Sequence, residues 1–344
     1  MRTFLIALVL LLAVVFTIGR LTEAQQVLDT LRRGDWRWLF AAALLQLVFT
    51  VNVAASLRAI YRALGLEEKI EKLVPLTAAA FFVNVVAPMA GMSGIAVFLA
   101  EAKRRNQPLG RVSAAAALLV LYDYAAFLLV LILGLTVLFR RNQLTGAEVT
   151  ASLVLLVLAV GMGSLLYIGM RSGEQLGRVL AWMAGVVNAV VRPLLRHDYL
   201  SVDRAHEFGR DISEGLRDAR RSPGNLLLPA ALAMSSKALL ISILFFVFMA
   251  FRQPFTVGTL IAGFSIGYLF LVISPTPSGI GFVEGILTLT LRGLHVPLAA
   301  SALIALAYRG LTLWFPLAYG AIAFRYVGRT AARLNNEAGN PSTR

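Results

Sequence analysis

The sequence SPTPSGIGFVEG, residues 274–285, brings two prolines, three glycines and one glutamate into a region that is otherwise strongly apolar. Proline removes a backbone N–H and ends a helix, and glycine permits a sharp reversal of the chain. The glutamate, Glu284, adds a charge between residues that are typical of a membrane helix. Irregular backbone at membrane depth is stable only where it is buried in protein or lines a water-filled cavity, so this stretch predicts a broken helix in such a place.

The composition of the chain indicates a membrane protein. Hydrophobic residues make up 58% of its 344 residues, which is more than a soluble domain of this size requires. The formal net charge is +14, and in a membrane protein such an excess of basic residues gathers in cytoplasmic loops, where it attracts anionic lipid head groups. The sequence has no basic and aromatic stripe typical of nucleic-acid binding, no cysteine, and no metal-ligand spacing among its three histidines. We therefore expect no nucleic-acid partner, no metal and no cofactor.

Six apolar runs are long enough to cross a hydrocarbon core about 30 Å thick. They cover residues 3–19, 36–57, 112–139, 149–170, 225–251 and 298–324. The first run follows Arg2, and we interpret it as an uncleaved helix rather than a signal peptide, because no convincing cleavage site follows it. The predicted fold is an all-α polytopic membrane protein with about six full transmembrane helices.

Two further apolar segments, residues 74–100 and 254–292, are too interrupted to be ordinary crossings. The interrupting residues are Pro88, Gly91 and Gly94 in the first segment, and Pro275, Pro277, Gly279 and Gly281 in the second. In the first segment they fall near the centre and leave two half-helices of about a dozen residues, each too short to span a bilayer. We therefore predict that each segment is a re-entrant helical hairpin.

The distribution of basic residues predicts which loops are cytoplasmic. Four basic residues lie on each side of the first segment, at 58–73 and at 103–111, so both of its flanks are expected inside the cell. Residues 140–148 and 252–258 then lie outside, which makes the second hairpin re-entrant from the outer face. The loop 20–37 conflicts with this scheme, because it holds four arginines yet falls outside.

Two more regions are predicted to be cytoplasmic. Residues 171–223 hold nine arginines, and two patterns of helical period within them predict amphipathic helices on the inner leaflet or on the helix bundle. A small cytosolic helical cap is the alternative interpretation of the same patterns. The C-terminal tail, residues 325–344, is also basic and is expected inside.

The two interrupted segments match each other in sequence. In each, a proline is followed six residues later by a glycine, at Pro88 and Gly94 and again at Pro275 and Gly281. A second proline step follows each segment, as QPLG and as VPLA, and then a long helix that contains an ionisable residue. On the predicted sidedness the two halves have opposite orientation, which is the inverted repeat that many transporters use to build a site near the bilayer midplane.

Four ionisable residues lie inside apolar runs: Asp123, Lys237, Glu284 and Arg309. An uncompensated charge at this depth is strongly unfavourable, so each should face a partner or water. One interpretation is a pair of structural salt bridges, Asp123 with Arg309 and Glu284 with Lys237. The other is a charged cavity that binds a lipid head group, or a proton-coupled carboxylate. Asn84 in the first hairpin is a further polar candidate.

Motifs of known enzymes are absent from the sequence. There is no Walker loop, no dinucleotide fingerprint, no zinc motif and no plausibly placed Ser/His/Asp set. We therefore expect a protein that is not an enzyme. The alternative is a membrane-embedded transferase with Glu284 or Asp123 as base, and it predicts turnover by the purified protein.

The motif at 274–285, together with AYRGLTLWFPLAYGAI at 307–322, resembles the membrane domain of lysylphosphatidylglycerol synthases, which is shared with the stand-alone UPF0104 membrane proteins. The residues that carry the resemblance are Pro275, Pro277, Gly279, Gly281, Glu284, Tyr308, Arg309, Trp314 and Pro316. Two positions depart from the family pattern: Ser278 replaces a glycine, and Val283 stands where a basic residue often precedes the glutamate. The resemblance therefore implies no charged head-group contact at position 283.

The resemblance implies a lipid flippase-like fold with two inverted hairpins. The best-understood member of the family moves aminoacylated phosphatidylglycerol to the outer leaflet and carries an aminoacyl-transferase domain after its membrane part. This chain ends at Arg344, soon after its last predicted helix, so we expect no such domain and no synthase activity. Relatives that lack the transferase occur beside pathways for glycolipids and for hopanoids.

Together these observations predict a multi-pass protein of the bacterial inner membrane, with a cytoplasmic C-terminus, that moves a lipid with a polar head group between leaflets. The lipid is of the phospholipid, glycolipid or hopanoid class. The hairpins are expected to meet near the midplane, with the four charged residues lining a cavity, and transport is expected to be downhill or ion-coupled. The alternative is a non-transporting accessory subunit of a lipid-modifying or glycosylation pathway. Expected partners are the lipid, a lipid-modifying enzyme and a second copy of the chain.

Overall fold

The computed structural model of the protein describes residues 25, 29–87, 93–182, 185, 209–210, 212–214, 216, 227–274 and 276–339. For residues 93, 277 and 330–339 it describes the backbone only. Over these ranges the chain forms helices joined by short connections, and it forms no strand.

The main helices are, in chain order, α1 (Trp36–Ala63), α2 (Ile70–Val86), α3 (Ser93–Arg104), α4 (Leu109–Arg140), α5 (Gly146–Arg171), α6 (Leu227–Ala250), α7 (Val257–Val272), α8 (Phe282–Gly293), α9 (Leu298–Arg309) and α10 (Phe315–Gly339). A 3₁₀ turn, Pro277–Gly279, precedes α8. A π-helical turn, Gly310–Trp314, joins α9 to α10.

Five helices of the described chain are long and apolar enough to cross a membrane. They are α1, α4, α5, α6 and the continuous helix Leu298–Arg329, which comprises α9, the π-helical turn and the first part of α10. These five coincide with five of the six predicted crossings, which are thereby confirmed as long apolar helices. The sixth, residues 3–19, lies outside the described residues, as does most of the predicted amphipathic region at 171–223.

Each interrupted apolar segment is folded as two helices rather than one. The first segment consists of α2 and α3, and the second consists of α7 and α8. α3 and α8 have 12 residues each, so neither can span a bilayer. The re-entrant course of both segments stays a prediction, because it depends on where the bilayer lies. Pro88, Gly91 and Pro275 lie outside the described residues.

The same kind of helix ending follows both segments. Asn106 follows α3 with a φ of 53°, and His295 follows α8 with a φ of 70°. In both places the next residue donates a backbone hydrogen bond to the carbonyl five residues earlier, at 2.9 Å after α3 and at 3.0 Å after α8. This is a Schellman ending, and in both places a proline then precedes the next helix. The same ending also follows α1, α4 and α6, at Gly65, Asn142 and Arg252, so it does not by itself relate the two segments, and their inverted orientation stays a prediction.

The chain divides into two compact units, and each is described by itself. The first consists of Met1–Val48, Val130–Ser152 and Ala238–Ala318, and the second of Phe49–Leu129, Leu153–Lys237 and Tyr319–Arg344. In the first unit, Gly134 of α4 lies against Ser265 of α7, and the Ser265 hydroxyl donates to the carbonyl of Val130 at 3.3 Å. A side chain at position 134 would meet Ser265, so glycine is required for this close approach of two helices.

The second unit has a continuous apolar core built mainly from α1 to α5. Ile60, Leu64 and Val112 are fully buried in it. The core continues onto the described parts of the 171–223 region, where Leu176 and Leu216 are buried. This packing fixes α2 and α3, the helices of the first interrupted segment, against the long helices of the same unit.

Candidate functional site

The interruption between α7 and α8 is a turn with left-handed backbone. Ser278, Gly279 and Gly281 have φ angles of 56°, 72° and 75°. Glycine adopts such angles without strain, whereas serine does so at a cost in free energy. The hydroxyl of Ser274 accepts a hydrogen bond from the backbone N–H of Thr276 at 3.1 Å, which supports the start of the turn. The glycines predicted from sequence to break the helix therefore lie where the backbone needs them.

Arg309, the last residue of α9, holds this turn. Its Nε donates to Oε1 of Glu284 at 2.6 Å, and its Nη2 donates to the carbonyl of Ser278 at 2.5 Å. Arg309 is 3% exposed and Glu284 is 7% exposed, so the ion pair is buried. Glu284 lies in the first turn of α8, where the helix dipole favours a carboxylate. One guanidinium thus joins the broken turn, the start of α8 and the end of α9.

Two further features make this ion pair a candidate binding site. Oε2 of Glu284 is buried and makes no hydrogen bond within the part of the chain that the structure describes. The π-helical turn Gly310–Trp314 begins immediately after Arg309, and such turns are frequent at functional sites. The guanidinium suits phosphate oxygens, and the unbonded carboxylate oxygen can accept a proton or a hydrogen from an ammonium group.

The salt bridges inferred from sequence were paired wrongly. The sequence interpretation joined Asp123 with Arg309 and Glu284 with Lys237, whereas the structure pairs Arg309 with Glu284 and Lys237 with Asp123. The physical reason is packing. α8 and α9 are consecutive helices that pack together, so their charged residues meet each other. Asp123 and Lys237 both belong to the second compact unit, and Glu284 and Arg309 both belong to the first.

The second ion pair joins α4 to α6. Nζ of Lys237 lies 2.6 Å from Oδ1 of Asp123 and 5.8 Å from the centre of the Phe127 ring, one helical turn further along α4. The Lys237 side chain is 1% exposed, but the Asp123 side chain is 32% exposed. Both residues lie near the middle of helices that are long enough to span a membrane. The ammonium of Lys237 is therefore buried in protein, while the carboxylate of Asp123 is partly exposed.

Sequence reasoning missed Asn52, which lies in α1 beside this pair's helix. Its amide Nδ2 donates to the carbonyl of Leu232 and to the hydroxyl of Ser236, both at 2.8 Å, and its Oδ1 accepts from Ser235 at 3.0 Å. Ser235 and Ser236 directly precede Lys237 on α6. The sequence feature that could have indicated this site is the polar run SSK, residues 235–237, inside an apolar helix. Only its lysine was among the residues predicted from sequence.

Asn84 has a structural contact in the first interrupted segment. Its Oδ1 accepts a hydrogen bond at 2.6 Å from the backbone N–H of Gly94, in the first turn of α3. A Cβ at position 94 would lie 2.5 Å from Nδ2 of Asn84, so glycine is needed for this contact. Asn84 therefore satisfies a free N–H group at a helix start, which is a sufficient reason for an amide at this position.

Several helices are able to span a membrane, and the Lys237–Asp123 ion pair joins two of them near their middle, so the protein is a multi-pass α-helical membrane protein. Within the described ranges, no group of three or more acidic or histidine side chains is placed to hold a metal ion. Residues 4–320 match the family described as the lysylphosphatidylglycerol synthase TM region, and the chain belongs to this family.

A second comparison agrees with the family assignment. The chain is 23% identical over 338 residues to a UPF0104 membrane protein of Methanothermobacter thermautotrophicus, and the match covers 95% of each chain. The resemblance inferred from the motifs around Glu284 and Arg309 is therefore confirmed at the level of the family.

Proposed function

We propose that the protein moves a membrane lipid with a polar or charged head group between the two leaflets. The observation that carries the proposal is the Lys237–Asp123 pair, in which a sealed ammonium holds a carboxylate that is 32% exposed. Both residues lie near the middle of helices that can span a membrane. An exposed side of a carboxylate at hydrocarbon depth is unfavourable against lipid tails but not against water, so the 32% exposure of Asp123 supports a polar passage at this point.

The two ion pairs have a role in this proposal that follows from their chemistry. Each cation is neutralised by a carboxylate, Lys237 by Asp123 and Arg309 by Glu284. A lipid phosphate that reaches either cation competes for it, and the released carboxylate binds an amine or takes up a proton. Because one partner replaces another, no charge is left uncompensated in the apolar layer as the head group passes.

The family supports a lipid as the cargo, since its name refers to the membrane region of an enzyme that makes a lipid. The proposal covers the phospholipid, glycolipid and hopanoid classes, and it includes no catalytic activity. It also includes two re-entrant hairpins in an inverted repeat, a cytoplasmic C-terminus and a location in the bacterial inner membrane. The proline and the glycine six residues after it, which both interrupted segments share, favour the repeat.

The test is lipid exchange in proteoliposomes, measured with head-group-labelled lipids and a quencher that reaches only the outer leaflet. We expect the wild type to exchange lipid. The double variant Asp123→Asn, Lys237→Gln removes both charges, so no buried charge is left without a partner. It should slow exchange by about tenfold or more, because one charge-assisted contact with the lipid is lost. The matched control is Arg292→Gln, which removes an exposed charge at the end of α8 and should exchange like the wild type.

Two results would contradict the proposal. Exchange by the double variant at the wild-type rate would show that the passage does not use the Lys237–Asp123 pair. Absence of exchange by the wild type with anionic, zwitterionic and cationic lipids alike would favour the accessory subunit, and the search would turn to its partner enzyme.

A further inference from the structure

A cavity of about 190 Å³ lies within the second compact unit, and its lining does not include Asp123, Lys237, Glu284 or Arg309. Tyr61, near the end of α1, and Tyr326, near the end of the helix Leu298–Arg329, both contribute to its wall. Membrane-spanning helices end in the head-group region, where tyrosine is enriched. The cavity therefore lies at the depth of lipid head groups, at one face of the membrane.

The lining of the cavity is apolar on one side and charged on the other. Leu73 of α2 and Phe98 of α3 belong to the apolar side, and both are buried. The charged residues are three acids and three bases, Glu68, Glu71, Glu101, Lys72, Arg104 and Arg105. An apolar wall next to a charged rim matches a molecule with a polar head and an apolar tail.

Part of the charged rim is held in place by its own contacts. Nε of Arg105 donates to Glu101 at 2.5 Å, and its Nη1 donates to Glu68 at 3.2 Å. Gln107 donates to Glu68 at 2.7 Å, and Arg104 donates to Glu101 at 2.9 Å. Both arginine side chains are 29% exposed, so each keeps an accessible side.

The rest of the rim is available for a ligand. Glu71 and Lys72 are exposed, and neither makes an ion pair within the described part of the chain. They are consecutive residues in the first turn of α2, so an anion site and a cation site lie side by side at the cavity.

We propose that this cavity binds the head group of a zwitterionic phospholipid, which carries both a phosphate and an amine. The phosphate meets Lys72 and Arg104, and the amine meets Glu71. Acids and bases are equal in number on the rim, so the cavity favours a head group of zero net charge over an anionic one. Its volume of about 190 Å³ is below the ~300–1,000 Å³ of sites that enclose drug-sized ligands, so it admits the head group while the acyl chains stay in the membrane.

The test uses the fact that the full chain has no cysteine. Tyr326 is 64% exposed and lines the cavity, so the variant Tyr326→Cys should react with a maleimide in detergent. We expect dioctanoyl phosphatidylethanolamine to slow that reaction several-fold, dioctanoyl phosphatidylglycerol to slow it less, and dioctanoylglycerol or inorganic phosphate to leave it unchanged. The matched control is Gly328→Cys, two residues along the same helix and open to solvent, whose rate should not respond.

A second substitution tests the chemistry of the rim. Adding Lys72→Gln to Tyr326→Cys should raise the lipid concentration needed for half-protection by about two- to fivefold, the usual worth of an exposed charge contact. Arg62→Gln removes an exposed charge that does not line the cavity, and it should have no effect. The unsubstituted protein should be stabilised against heat by the same phosphatidylethanolamine.

Three results would overturn the assignment: equal protection by dioctanoylglycerol, equal protection by phosphatidylglycerol or by inorganic phosphate, or no protection and no thermal stabilisation by any lipid. The assignment does not depend on transport. A protein that binds phosphatidylethanolamine here but exchanges no lipid in proteoliposomes would support the cavity and contradict the proposed function.

Discussion

Each of the two interrupted segments forms two helices, but different side-chain contacts stabilise the two interruptions. In the first, the neutral amide of Asn84 accepts a hydrogen bond at 2.6 Å from Gly94, ten residues further along the same segment. In the second, the charged Arg309 reaches back from the next helix to Ser278 and Glu284. The first interruption is thus closed from within, whereas the second depends on a buried ion pair with a neighbouring helix. If the protein moves lipids as proposed, we expect a charged lipid to affect the second interruption more than the first.

Among the variants of the two segments, Arg309→Gln is expected to lower the free energy of unfolding most. It leaves Glu284 buried without its cation and frees the carbonyl of Ser278. Breaking a buried pair in this way destabilises a protein by about 3–5 kcal/mol. The measurement is the free energy of unfolding by denaturant in detergent, for the variant and the wild type.

The double variant Arg309→Gln, Glu284→Gln is the control for charge. It removes both members of the pair, so it should be more stable than Arg309→Gln alone, because no buried carboxylate is left uncompensated. If the double variant is as unstable as the single one, the contact of Arg309 with the Ser278 carbonyl, rather than the ion pair, holds the turn.

The two members of the Lys237–Asp123 pair should differ in how much their removal lowers the free energy of unfolding, because one is buried and the other is partly exposed. Asp123→Asn leaves the buried ammonium of Lys237 without its carboxylate and should cost about 3 kcal/mol, the lower end of the range for a broken buried pair. Lys237→Gln leaves a carboxylate that is 32% exposed and that water can solvate, so it should cost less, about 1 kcal/mol. The same unfolding measurement checks both variants, and equal losses would contradict an open side on Asp123.

A smaller effect is expected at the first interruption from Asn84→Ala. It removes one neutral hydrogen bond to a helix start, which is worth about 1 kcal/mol. Gly94→Ala should also destabilise the protein, because its Cβ would lie 2.5 Å from the Asn84 side chain. The two losses of stability should not add, because Asn84→Ala removes the amide atoms that the Cβ of Gly94→Ala would contact. Additive losses in this double-mutant cycle would show that the two residues do not act together.

The sequence predicted the parts of this structure that local chemistry determines. Long apolar runs predicted five of the spanning helices, and Gly279 and Gly281 lie in the predicted break between α7 and α8. The ion-pair partners could not be predicted, because partner choice depends on which helices pack together. Asn52 was missed for the same reason: a single amide in an apolar helix has no visible role until Ser235 and Ser236 are seen to bond to it.

The smallest effect concerns the departure of Ser278 from the glycine that the family motif favours. Ser278 has a φ of 56°, so Ser278→Gly should relieve backbone strain and stabilise the protein, by about 0.5 kcal/mol after the greater freedom of glycine in the unfolded chain is subtracted. Its carbonyl, which accepts from Arg309, is kept. Gly279→Ala should do the opposite, because Gly279 also has a positive φ and its Cβ would meet Val283. If the two variants change the free energy of unfolding in opposite directions, backbone conformation determines which residues this turn accepts. If Ser278→Gly instead lowers the free energy of unfolding, the serine side chain itself stabilises the turn.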